Sequence, residues 1–344
     1  MSSSASSPPW LSWHRPLMLF AASMAVLTVM TAVGLAVDDR LVAGSPVWFK
    51  PFKFSASFLA YALSLAWMLS LLPRFRRAGW WAGTVVAVAG AVEMVLITGQ
   101  AMRGRRSHFN NETPFDKALF DTMAVTVVVL WAAALVIAVL LFRTGLADRA
   151  SAWAVRFGSV LSLAGALIGF RMARPTPEQR AEAETGDPAV VGAHGVGVPD
   201  GGPSMPLTGW EMTGGDLRVP HFVGLHALQV LPFFLLALVV LAPRFARLRD
   251  ERVRLRLVLV ASGTYTGVFA LVTWQALRGQ ALVSPDGVTL AAAAVLLLAA
   301  AAGTWAALRG PTPPVGPTGE TSRTGGAGRT GGISGSDTHK ELVA

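Results

Sequence analysis

ALFDTMAVTVVVLWAAALVIAVLLF, residues 118–142, carries one charged side chain, Asp121, near its start and none beyond it. Hydrocarbon about 30 Å thick takes roughly 20 apolar helical residues to cross, and this run is long enough. Working outward from it, seven further runs of the same kind occupy residues 16–37, 52–72, 80–99, 152–172, 221–242, 257–277 and 288–308. The expected fold is an all-α integral membrane protein, a bundle of about eight transmembrane helices over 16–308. The first run is longer than the roughly 7–15 apolar residues of a secretory signal and has no small-residue cleavage site after it, so it reads as a retained helix.

Composition points the same way. Of 344 residues, 53% are hydrophobic and only 14% charged, against about a quarter charged in soluble domains. The chain has no cysteine, which excludes disulfides, thiolate metal centres, iron–sulfur clusters, covalent haem attachment and cysteine nucleophiles. Arginine outnumbers lysine and alanine is abundant, a composition associated with high-GC bacteria, so a bacterial cytoplasmic (inner) membrane is the expected location.

Short cytoplasmic loops keep an excess of positive charge. Counting eight spans, RFRR (74–77), RTGLADR (143–149) and PRFARLRDERVRLR (243–256) fall on one side. That side reads as cytoplasmic, with both termini there, including the segment 1–15. Arg103, Arg105 and Arg106 pull the other way. The net charge of +9 is then a topology signal and not a nucleic-acid footprint; the partner the composition requires is the lipid bilayer. Residues 309–344 are rich in Gly, Thr, Ser and Pro and are expected to form a disordered cytoplasmic tail.

The unusual polar residues collect in the loops of the opposite side, where exposed loops on a rigid scaffold carry function. These are SPVWFKPFKFSAS (45–57), GQAMRGRRSHFNNETPFDKALFD (99–121) and the long segment 173–220, which runs on into the sixth span as PHFVGLH. Pro51, Pro114 and Pro220 stand near first helical positions, where the missing N–H costs nothing. Thr113 and Asp116 have capping-box spacing. A helix starting there sets Lys117 and Asp121 at i and i+4, as an ion pair or as a solvated first turn.

Glu93 lies inside an apolar run, where an ionisable group usually faces the bundle interior and marks a functional site. Gln100 follows on the same face, and Gly83, Ala87 and Gly90 form a small-residue stripe that admits a neighbouring helix. On the sixth span His226 is expected at about the depth of Glu93, with Gln229 three residues on, while His221 falls off that face and marks the rim. Lys53 enters the second span above Ser57 and Tyr61, and Gln275 closes the seventh. Lys53, Glu93, Gln100, His226, Gln229 and Gln275 thus form a polar layer on four spans, which a bilayer tolerates only around a shared interior or a wet cavity. Arg103, His108, Asp121 and His221 complete the ligand-binding candidates.

The runs SPVWFKPFKF, GQAMRGRRSHFNNETPFD and MPLTGWEMTGGDLRVPHFVGLHALQ resemble motifs of a group of uncharacterised bacterial multi-pass membrane proteins, over most of residues 47–229. The resemblance implies that the outward segments act as one unit; it transfers no catalytic residue.

Three functions fit. The first is a transporter or sensor for a small polar ligand or protons, with Glu93 and His226 as a titratable pair. No pair of Gly- or Pro-interrupted spans announces inverted repeats. The second is a redox protein holding non-covalent haem b through His226 and either His108 or His221, or a zinc or copper site from His108, His221, Glu93 and Asp121. The third is a structural or assembly protein whose polar layer joins helices. Serine-nucleophile, nucleotide-binding and P-loop signatures are absent.

Overall fold

The computed structural model describes residues 13–146 and 148–310. Most of the N-terminal segment and of the expected tail therefore lie outside the described residues. Within them the chain forms α1 (Arg15–Val37), α2 (Phe49–Ser70), α3 (Arg76–Met102), α4 (Pro114–Arg143), α5 (Arg149–Met172), a short α6 (Pro177–Glu182), α7 (Arg218–Leu241), α8 (Glu251–Leu277) and α9 (Gly287–Arg309). All but α6 are long and apolar enough to cross a membrane. Two-residue antiparallel strands, β1 (Leu41–Val42) with β2 (Ser45–Pro46) and β3 (Gly195–Val196) with β4 (Gly215–Asp216), are confined to loops.

Side-chain caps set several helix starts. Thr113 Oγ1 accepts the Asp116 N–H at 3.0 Å, and Pro114 holds the first helical position of α4. Asp148 takes the N–H groups of Ala150 and Ser151 at the start of α5, and Asp286 takes that of Thr289 at the start of α9; each satisfies donors that a helix start leaves open. Only half of the expected capping box forms, because the Asp116 carboxylate is drawn to other donors. Helices α2 and α7 begin two residues ahead of Pro51 and Pro220, still within the first turn, where proline is tolerated.

The helices divide into two sets of four. In the first, α1 packs on α2 and α3, α2 on α3, and α3 on α4, around Leu17, Met68, Val86, Ile97, Met123 and Ile137. In the second, α5 packs on α7 and α8, α7 on α8, and α8 on α9, around Ala154, Leu161, Leu231, Val253 and Val258. Contacts of α2 with α7 and of α4 with α5 join the sets.

Glycines permit the tightest approaches. A Cβ on Gly165 of α5 would lie 2.7 Å from the Gly224 Cα of α7, and one on Gly90 of α3 would lie 2.7 Å from the ring of Phe20. Backbones this close maximise dispersion where no hydrophobic drive acts between helices. Outward faces are apolar: Val26, Val29 and Met30 on α1 and Val295, Leu297 and Leu298 on α9 are exposed. In water each would forfeit about 1.5–3 kcal/mol of burial, so these faces suit lipid.

Candidate functional site

The ends of α1, α3, α5 and α8 and the starts of α2, α4, α7 and α9 lie at one end of the bundle, here the loop-rich end. Residues 173–217 fold over it. Helix α6 opens with a full capping box between Thr176 and Gln179, and the same Gln179 amide ties down Gly192, accepting its N–H at 2.8 Å and donating to its carbonyl at 3.0 Å. The segment is fastened to both helix sets. Val191 donates to the Phe109 carbonyl in the α3–α4 loop, Lys53 of α2 donates to the Thr208 carbonyl at 2.8 Å, and Gly215 presses on the Ala276 carbonyl at the end of α8. Phe109, Met172, Leu217 and Ala276 form a small apolar core beneath it.

Under this cover a basic, histidine-rich cluster assembles. His194 donates Nδ1–H to Asp200 at 2.7 Å, and Asp200 also accepts the backbone N–H groups of His194 and Gly195. Burial lowers the His194 pKa, only partly countered by Asp200, so the ring stays neutral with Nε2 free as an acceptor. Burial alone would raise the Asp200 carboxyl; His194 and the two N–H donors outweigh it and hold the carboxyl well below its ordinary range. His108 stands among Phe54, Phe109 and Phe120, with ring centroids 6.0–6.2 Å away. Burial, reinforced by the nearby Lys50, keeps it far below its usual titration.

Two of the nearby cations are already engaged. Arg218 grips the buried Asp216 through Nε and Nη2, and Lys53 is held by Thr208 and stands 4.1 Å over the Phe49 ring. Lys50 is different. Its ammonium has no hydrogen bond or ion pair among the described residues; it lies 5.8 Å from the Phe54 ring centroid and within electrostatic reach of Lys53, Arg218, Glu93 and Asp200.

A second polar group clamps the end of α3 to the start of α4. Asp116, fully buried, accepts Gln100 Nε2 at 2.9 Å, Arg103 Nη1 at 2.7 Å and Thr113 Oγ1 at 2.7 Å. Gln100 also donates to the Arg106 carbonyl, and Arg103 stacks on Phe115.

The expected single layer therefore resolves into separate groups. Glu93 and His226 do lie at similar depth, roughly 14 and 12 Å from their helix ends at 1.5 Å per residue, but they do not meet. Glu93 is buried and accepts Thr126 Oγ1 of α4. His226 donates Nδ1–H to the Phe222 carbonyl and stacks on the Phe222 ring at 3.9 Å. His221 leaves the rim to donate Nδ1–H to the Gly165 carbonyl of α5 at 2.8 Å. Gln229 is buried on α7, and Gln275 donates to the Ala281 carbonyl, closing the α8–α9 loop. Asp121 pairs with Lys117 at 2.7 Å on the exposed first turns of α4.

Among the described residues no three His, Asp or Glu side chains converge as a metal site. The residues His108, His221, Glu93 and Asp121 are not brought together: Asp121 pairs with Lys117 on an exposed turn, and Glu93 is engaged by Thr126. Sequence reasoning passed over Lys50, His194, Asp200, Asp216 and Arg218. The signals available were His194 and Asp200 bracketing a glycine-rich HGVGVPD, and a second lysine beside Pro51. No family model, no curated protein and no solved structure matches the chain.

Proposed function

We propose that this is a multi-pass protein of the bacterial cytoplasmic membrane that binds a small, polar, acidic molecule at its loop-rich end, which faces outward. The orientation rests on the three arginine-rich loops at the opposite end. The observation that carries the ligand class is Lys50, a partly buried ammonium without a protein partner among the described residues. A charge withdrawn from water is costly unless paired, and an acidic group on a ligand would supply the pair. The free Nε2 of neutral His194 suits a hydroxyl or amino donor on the same molecule.

The test is ligand-induced thermal stabilisation of the detergent-purified protein with acetate, lactate, glycine and inorganic phosphate. At least one should stabilise the wild type. Lys50→Met should weaken that binding by about tenfold or more, the worth of one charge-assisted hydrogen bond, and Lys50→Arg should recover part of it. Unchanged affinity in Lys50→Met, with the fold intact by gel filtration, would reject the reading.

A further inference from the structure

The two helix sets share more than their number. Helix α3 ends Thr98-Gly99-Gln100-Ala101-Met102-Arg103-Gly104, and α8 ends Thr273-Trp274-Gln275-Ala276-Leu277-Arg278-Gly279. Both glycines take left-handed backbone, at φ +66° and +72°, and the residue after each donates its N–H back to the glutamine carbonyl, closing the helix as a Schellman motif. Each glutamine amide then donates to the carbonyl six residues on, Arg106 in one case and Ala281 in the other. Each arginine reaches an aspartate at the start of the next long helix, Arg103 to Asp116 at 2.7 Å and Arg278 to Asp286 at 2.6 Å. The order of packing is also the same: first helix on second and third, second on third, third on fourth. Four spans per set bring the chain back to its starting side, so the two sets run in the same sense, as in carriers built from parallel repeats with the substrate site between them.

Of the two junctions between the sets, α4 with α5 and α2 with α7, the second brings together the second member of each set. Lys50 heads α2, and Tyr61 lies eleven residues, roughly 17 Å, below it. There the seam between the sets holds a small, part-open cleft of about 10 Å³, lined mostly by apolar side chains such as Leu65 of α2, Ile137 of α4 and Leu228 of α7, with Tyr61, Ser159 and Ser162 as its polar members, which is room for about one water. Ser159 and Ser162 are over nine-tenths buried, and neither they nor Tyr61 has a side-chain hydrogen bond among the described residues, whereas Ser64 and Thr144 turn back on their own helices. On α7, Pro232 has no N–H for the Leu228 carbonyl, leaving a weak point in the helix beside the cleft.

We infer that the chain consists of two parallel four-helix repeats and that their seam is the route by which the acidic ligand crosses, with Tyr61, Ser159 and Ser162 as a second polar subsite that is closed to a single water in this structure. The inference rests on the reading of Lys50 as the entry site. The absence of cysteine from the chain makes the test clean. Ser162→Cys and Ser159→Cys, each as the sole thiol in the full-length protein, are exposed in right-side-out and in inverted vesicles to the membrane-impermeant anionic reagent 2-sulfonatoethyl methanethiosulfonate, with Leu161→Cys, packed in the second helix set, as control. Labelling of both seam cysteines from both vesicle orientations, with Leu161→Cys unlabelled, is the expected result. Seam cysteines that stay unreacted in folded protein, as judged by gel filtration, would overturn the route while leaving Lys50-dependent binding to stand or fall on its own assay.

Discussion

Arg103 and Asp116 meet at 2.7 Å with opposite relations to solvent, the carboxylate fully buried and the arginine side chain 41% exposed. Arg278 and Asp286, the matching pair of the second helix set, are both 37% exposed. The same local motif is thus placed in two dielectric settings, and the consequences of breaking it differ.

Removing Arg103 leaves Asp116 buried with only the neutral donors of Gln100 and Thr113. Arg103→Met is expected to destabilise by about 2 kcal/mol, the cost of depriving a buried charge of its ionic partner. In Arg278→Met the aspartate still meets water and still caps α9 through Thr289, so no measurable loss is expected. Thermal unfolding of both variants in one detergent decides it; equal losses would mean that the buried setting of Asp116 has no energetic consequence.

Stability should also fall on mild acidification. His108 and His194 have folded pKa values below the ordinary 6.5, from burial first, with Lys50 adding to it at His108, and Arg218 and Lys50 adding to it at His194, where Asp200 opposes. The unfolded chain therefore binds protons that the native protein refuses. The contribution of these groups is fully present above 6.5 and is lost as the pH falls below it. Asp200 acts in the same direction but only below its ordinary 3.8, outside this window. The expected midpoint is flat from about pH 8 to 7 and declines from about 6.5 to 5, by at most about 1.4 kcal/mol per pH unit per group. His108→Phe, which suits the surrounding Phe54, Phe109 and Phe120, should make the decline shallower. A midpoint that rises on acidification would contradict the buried, neutral state of these rings.

What the sequence disclosed, and what it withheld, follows from the range of the interactions. The eight spans were legible because dehydration demands long apolar runs, but their ends were not. Helix α3 starts at Arg76 and α8 at Glu251, since helices continue through polar residues beyond the hydrocarbon. Thr113 as a cap and the Lys117–Asp121 pair were legible because both depend on spacing within one helix turn. Lys50 among histidines was not, because the positions of His108 and His194 are set by the folding of a long loop. The repeated Gln-Ala-x-Arg-Gly was visible in the letters, yet its weight comes from the identical hydrogen bonds each copy makes.

Glu93 separates a ligand-binding role from a joining one. Its only hydrogen bond among the described residues comes from Thr126, so it links α3 to α4, while Lys50 is the charge within its reach. A glutamine keeps an oxygen that can accept the same hydroxyl. If the acidic ligand sits at Lys50, Glu93→Gln should therefore fold with a midpoint close to wild type and keep the affinity for whichever of the four test anions binds. Loss of binding in a folded Glu93→Gln protein would place the carboxylate itself against the ligand and move the site down α3, away from Lys50. The absorption spectrum of the same preparations tests the alternative chemistry. A Soret band that shifts with dithionite and vanishes in His226→Ala would replace the acidic ligand with haem, and the expected spectrum is featureless above the aromatic band.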